Sequence, residues 1–428
     1  MNKFFKRALT ILLFIPVTHI LSAKDSLPLM QITQQALAGD ARAQCNLGVS
    51  YMEVARSSRD CAEAVKLFRK SAEQGNAQAQ SNLGVAYYLG RGVKKNPAEA
   101  FKWFRQAAGK GHRVAQFCYG IMFLDGDGVP QNNAEAVKWI RKAADQGLPE
   151  AQTLMGYFCD LGVEVPKSDT QAFRWFHKAA EQGNSIAQFC LGKCYIFGQA
   201  VQKDKVEGAK WIRKSADQGL APAQLLAGLN YQTGCGVPQD YTEAAKWIRK
   251  AADQGYPVAQ LYMGKLYQDG LGVPKNVREA VKWYRKAADQ GNAEAQNALG
   301  LCYGDGIGVF RSASRAVKWY RLASEQGDMD GRFNLGRCYA AGYGVKKNVV
   351  EAYALWKLAE PQNPHVKKVL STFSKEMTPE QIVEGQKRAE QLRKSSQSVT
   401  SARNTKLPQP RTHHFAFFTC AWDGLETA

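Results

Sequence analysis

Catalytic signatures are missing from this 428-residue chain. It contains no Gly-x-x-x-x-Gly-Lys-Ser/Thr phosphate loop, no His-Glu-x-x-His, no Gly-x-Ser-x-Gly, and no Ser-x-x-Lys placed to suit a penicillin-recognising serine acyltransferase. The six histidines are scattered, as His19, His112, His177, His365 and the pair His413-His414. None adjoins an acid and a nucleophile, and no Cys or His cluster has a ligand spacing. The expectation is therefore no catalytic residue, no cofactor and no metal. Acidic residues are also in deficit, 38 Asp and Glu against 57 Lys and Arg, for a net charge of +19. With no recognition module and no interleaved aromatic platform beside that excess, nucleic acid is not an expected partner.

A long apolar run is lacking at the front. Met1 to Arg7 carries Lys3, Lys6 and Arg7, and Ala8 to Pro16 is apolar. That stretch is shorter than the roughly 20 residues of a spanning helix. Leu21-Ser22-Ala23 then offers a small-residue cleavage site. This is the layout of a secretory signal peptide over 1–23, with the mature chain starting at Lys24 and working in the periplasm or beyond the cell surface. The alternative is an uncleaved inner-membrane anchor. Cleavage removes three cations and no acid, so +19 − 3 leaves +16.

What the chain has in abundance is repetition. The block Ala-Val-Lys-Trp-Ile-Arg-Lys-Ala-Ala-Asp-Gln-Gly at 136–147 recurs in edited form, with tryptophan at Trp103, Trp139, Trp175, Trp211, Trp247, Trp283 and Trp319. Each lies 36 residues past the last, and Leu67 and Leu355 extend the phase. A fixed period of this size means stacked supersecondary units. Within each period, Ala-Gln-x-x-Leu-Gly-x-x-Tyr forms one helical stripe. Its glycine, as at Gly84, Gly120 and Gly156, lets a second helix approach the backbone. Gly-x-Gly-Val follows as a tight reversal, as in Gly126-Asp127-Gly128-Val129, and the tryptophan helix ends on a C-cap glycine such as Gly147.

On these three motifs the chain resembles the Sel-1-like repeat family, a relative of the tetratricopeptide repeat. The resemblance covers nine units over 40–363. It implies an all-α fold, a right-handed α/α superhelical solenoid of helical hairpins, that works as a scaffold for protein–protein interaction. Residues 24–39 are expected to cap the N-terminus and helices within 364–394 the C-terminus, with Thr378 as N-cap, Pro379 as first helical residue and Gln381 as capping-box partner. From Ser395 to residue 428 the composition reads as a flexible tail, ending in the aromatic run His413 to Trp422. Departures from the pattern include Gly331-Arg332 for Ala-Gln, and Glu164 and Ala200 for the second turn glycine.

Some exported relatives staple each hairpin with a cysteine pair, but the ten cysteines here fall at irregular phases. Cys302 and Cys338 share a phase in adjacent units, which would set their Cα atoms beyond the ~7 Å reach of a bridge. Free buried thiols are the simpler reading. The cations Lys138/Arg141/Lys142, Lys210/Arg213/Lys214, Lys246/Arg249/Lys250 and Lys282/Arg285/Lys286 form a basic ladder. It reads either as complement to helix dipoles or as a surface for acidic partners.

By analogy with tetratricopeptide arrays, the first helices line a concave groove. Its expected partner-binding residues are Phe117, Ile121, Tyr157, Phe189, Lys193, Leu225, Leu229, Leu261, Lys265, Phe333 and Arg337. Aromatic and aliphatic anchors beside cations suit a protein or peptide ligand held by a monomeric chain. Two other functions stay open: an extracytoplasmic hydrolase or β-lactam binder, since some cysteine-rich relatives have been linked to β-lactam recognition, and a regulator of cell-wall enzymes.

Overall fold

The structure, a computed structural model, describes residues 29–55, 57–359 and 364–405. The expected signal peptide, Glu360 to Asn363 and the aromatic end of the chain lie outside the described residues. All regular structure among the described residues is helical. The chain divides into two compact bodies, Met1–Trp211 and Ile212–Ala428, the boundary falling inside one helix.

In the first body, α1 (Leu29–Leu37) precedes four helical hairpins: α2 (Ala41–Val54) with α3 (Ser58–Glu73), α4 (Ala77–Leu89) with α5 (Pro97–Gly109), α6 (Arg113–Asp125) with α7 (Asn133–Asp145), and α8 (Pro149–Leu161) with α9 (Asp169–Glu181). α10 (Ser185–Phe197) opens a fifth, whose second helix, α11 (Lys205–Asp217), carries the boundary. The second body continues with α12 (Ala221–Thr233) and α13 (Tyr241–Asp253), α14 (Pro257–Asp269) and α15 (Val277–Asp289), α16 (Ala293–Asp305) and α17 (Ala313–Glu325), and α18 (Met329–Ala341) and α19 (Val349–Ala359). It closes with α20 (Pro364–Phe373), a 3₁₀ turn at Ser374–Glu376 and α21 (Pro379–Thr405). The hairpins are numbered below as units one to nine.

Local chemistry explains the hairpin. The first helix of unit two stops because Gly90 turns left-handed at φ 74°, its amide bonding Ala86 O. The second starts where the Asn96 side chain accepts the Glu99 amide and Pro97 fills the first helical position. Between them the mid-helix glycine performs its expected role: a Cβ on Gly156 would lie 2.5 Å from the Phe176 ring, and one on Gly120 2.7 Å from Ile140. The residue after each tryptophan, such as Phe104, Ile140 or Ile248, is thereby fully buried, whereas Trp103, Trp139 and Trp175 are only half-buried. Glu164 and Ala200, which replace the second turn glycine, keep its left-handed backbone at φ 53° and 60°. That conformation costs an L-residue roughly 1 kcal/mol.

Units are joined by a buried glutamine. Gln116, on α6, donates from Nε2 to Ala108 O at the end of the preceding hairpin, and its Oε1 accepts from Gln146 at 2.7 Å. Gln146 in turn reaches Gly111 O at 3.0 Å. The same pair recurs as Gln44 with Gln74 and Gln152 with Gln182 in the first body, and as Gln224 with Gln254, Gln260 with Gln290 and Gln296 with Gln326 in the second. Each amide so placed satisfies both its donor and its acceptor out of water.

The C-terminal cap has the expected capping box, Thr378 N donating to Gln381 Oε1 at 3.0 Å and Gln381 N to Thr378 Oγ1 at 3.3 Å. α21 packs on α19, where Gly385 meets the Tyr353 ring and Arg388 grips both carboxylate oxygens of Glu351. α21 continues past Lys394, where the tail was expected to begin, to Thr405. The added stretch is polar but has neither glycine nor proline to break a helix.

Unit two breaks the glutamine pairing. Lys110 stands where the other units have glutamine and bonds Gly75 O, leaving Gln80 Oε1 buried without a partner. An orphaned buried acceptor costs about 1–3 kcal/mol. Lys110→Gln should therefore raise stability by about 1 kcal/mol, read as a higher thermal midpoint, because glutamine reaches both Gln80 and Gly75 as Gln146 reaches Gln116 and Gly111. An unchanged or lower midpoint would contradict the pairing.

Candidate functional site

The expected groove residues fall into two classes. Phe117, Ile121, Phe189, Leu225, Leu229 and Leu261 are buried, each at most 8% exposed. Tyr157 stacks edge-on against Phe176 at 5.3 Å and takes the Cys190 thiol at 3.1 Å, and burial pushes its hydroxyl well above the usual range. Phe333 is half-buried between Trp356 and His365. The structure thus places most of the anchors in the seam between neighbouring first helices. The seam has its own register: Asn334 Nδ2 donates to Asn297 Oδ1 and Asn82 Nδ2 reaches Cys45 Sγ, each pair 37 residues apart. Those contacts show that the position two before the motif leucine faces the next unit.

The more open members are cationic. Lys193 is half-buried, its ammonium 5.7 Å from the centre of the Phe189 ring. In the second body, Lys265 keeps 41% of its side chain exposed and pairs with Glu294 at 2.6 Å. Arg337 is exposed, and between the two in register lies Leu301, 37% exposed. Sequence reasoning left Leu301 out of the expected groove residues. It missed the neighbouring turn, where Ile307 is 38% and Phe310 95% exposed. The signal was available, because position 310 holds proline in four units, Pro130, Pro166, Pro238 and Pro274, and phenylalanine only here.

The basic ladder is largely engaged by its own scaffold. Its first rung pairs with a glutamate one turn earlier, as Lys138 with Glu135 and Lys246 with Glu243. Its second bonds a tyrosine hydroxyl of the next unit, as Arg249 with Tyr267 at 2.7 Å and Arg213 with Tyr231 at 3.3 Å. Its third lies over the tryptophan ring, Lys250 at 3.8 Å from the centre of Trp247 and Lys286 at 4.0 Å from that of Trp283. Exposed ion pairs of this kind contribute little individually. The repeating aromatic and acidic partners account for the ladder's regularity.

Among the nine described cysteines none forms a disulfide, and eight are buried. Burial raises the Cys45 and Cys118 thiols to about 12, which removes nucleophilic thiolate at neutral pH. No group of three or more His, Cys, Asp or Glu among the described residues could hold a metal ion. Among them, too, no helix is long and apolar enough to cross a membrane.

His112 caps α6 in place of the asparagine used at Asn76 and Asn184. Its Nδ1 accepts the Ala115 amide, so Nε2 carries the proton and faces Gln78 Oε1 at 2.8 Å. Burial, and then the Arg113 charge, lower it from 6.5 to about 4. Between those values the unfolded chain binds the extra proton and the folded chain does not. The stability from neutral His112 is therefore complete above pH 6.5 and declines as pH falls toward about 4. His112→Asn should flatten that part of the stability–pH curve, measured by denaturant unfolding across this window. A difference between the two proteins that does not vary with pH would contradict the assignment.

Seam residues should behave as core. Phe117→Ala is expected to lower stability by about 3–5 kcal/mol in thermal or denaturant unfolding. A change below about 0.5 kcal/mol, usual for surface sites, would return Phe117 to an open groove.

A profile of the Sel1 repeat matches nine consecutive stretches, residues 41–76, 77–112, 113–148, 149–184, 185–220, 221–256, 257–292, 293–328 and 330–360. Each stretch takes in one of the hairpins. Among solved structures, a Sel1 repeat protein from Oxalobacter formigenes is 36% identical over 76% of this chain and 93% of its own, with a TM-score of 0.53. A protective antigen of uropathogenic Escherichia coli with an SLR fold is 29% identical over 90% of this chain and 99% of its own, with a TM-score of 0.49. No curated protein matches the chain.

Proposed function

The chain belongs to the Sel1 repeat family, whose arrays are non-catalytic scaffolds that bind proteins, and from that membership we propose an exported scaffold whose second body holds a protein or peptide partner. Export is supported by the basic, apolar and small-residue order of the first 23 residues, and it places the partner in the cell envelope or beyond the cell surface. The observation that carries the binding reading is the row Lys265, Leu301 and Arg337. These occupy one register position in three successive units, where the corresponding Ile121 and Leu229 are buried in the seam. An accessible leucine between two cations fits a peptide segment with an apolar anchor flanked by carboxylates.

The test is capture of partners by the mature chain with chemical cross-linking, compared with the double variant Lys265→Glu/Arg337→Glu. Both side chains are substantially exposed, so thermal unfolding should shift by less than about 1 kcal/mol while the partner is lost. Undiminished capture by the variant would sink this surface as the binding site.

A further inference from the structure

We infer that the chain's own aromatic terminus, Phe415 to Trp422, docks on the exposed turn of unit eight at Ile307 and Phe310. Phe310 is 95% exposed at a position whose counterparts carry proline, lysine, glutamine or serine, and Ile307 beside it is 38% exposed. That turn adjoins the turn of unit nine, since Tyr343 donates to Gly304 O at 2.8 Å and accepts from Arg311 Nε at 2.9 Å. The unit-nine turn leads directly into α19 at Val349.

The closing helix points its end at this edge. Along α21, Gly385 meets Tyr353 and Arg388 meets Glu351, so α21 runs antiparallel to α19 and leaves past its N-terminus, on the side of the two turns. From Arg388 to Thr405 the helix rises ~25 Å at 1.5 Å per residue. The chain from 406 to Trp422 can extend up to about 56 Å at 3.3 Å per residue, which covers the return and one further inter-helix spacing of ~10 Å. Chemistry matches at both ends of the contact. The terminus brings Phe415, Phe417, Phe418 and Trp422 to an apolar turn, and Asp423 and Glu426 to the exposed Lys346 and Lys347 of unit nine. Aromatic burial supplies the attraction and the charge pairs set its direction.

The experiment places the photo-cross-linker p-benzoyl-phenylalanine at Phe310 in the full chain, irradiates dilute protein and maps the products by mass spectrometry. The expected result is an intramolecular cross-link into residues 413–422, lost when Phe415, Phe417 and Phe418 are changed together to serine. Amide exchange at residues 306–312 and 343–348 should be faster in that serine variant than in the parent. Covalent dimers without an internal tail product would show that a second copy covers the turn and overturn the inference. Absence of any tail cross-link, with exchange equal in the two proteins, would overturn it equally.

Discussion

A side-chain amide buried between three helices sets the spacing on which each body of this protein depends. Gln116 donates to the last turn of one hairpin and accepts from the end of the next, and its counterparts repeat that arrangement in both bodies. The net gain of any one such bond is modest, about 1 kcal/mol, but an unmatched buried amide is costly. A unit with an inserted or deleted residue would misplace one partner and leave the other unsatisfied. That asymmetry gives a physical reason for a 36-residue period without interruption. It also brings successive first helices close enough to bury Phe117, Phe189 and Leu261 in their seam. Surface for a partner is what this close stacking leaves uncovered.

The stacking explains why some features were legible in the sequence and others were not. Periodic signals act locally and came through: the glycine that admits Ile140 or Phe176, the turn glycines, and the box of Thr378 and Gln381. How far each groove position is exposed depends on how tightly one unit covers the next, a property that no single unit's motif carries. The seam contacts join residues 37 apart, one step off the repeat, and no motif within a single unit displays them. The tryptophans mark the phase clearly, yet several are surface shelves for lysine while the residue after each is the deeper anchor. The polar segment that carries α21 on to Thr405 has no breaker, but it also has no apolar stripe to announce a helix.

Functional information accordingly lies in residues that depart from the repeat. Most ladder cations are engaged by glutamates, tyrosines and tryptophans that recur with them, so their regularity is a property of the scaffold. Leu301, Arg337 and Phe310 occupy repeat positions but carry exposed side chains, and Lys265 keeps 41% of its side chain exposed beside its ion pair with Glu294 of the next unit. Unit two shows the cost of departure, where Lys110 leaves Gln80 with an orphaned acceptor. Unit eight departs differently, carrying the exposed Ile307 and Phe310 in its turn.

The most direct test of the glutamine linkage is a double-mutant cycle on Gln116 and Gln146 in the full chain, with each changed to alanine alone and together and stability read by denaturant unfolding. If the amide pair joins the hairpins, Gln116→Ala alone should cost about 1–3 kcal/mol and the coupling energy should be about 1 kcal/mol. Additive effects within ~0.3 kcal/mol would mean that the two amides act independently and that apolar packing alone sets the repeat.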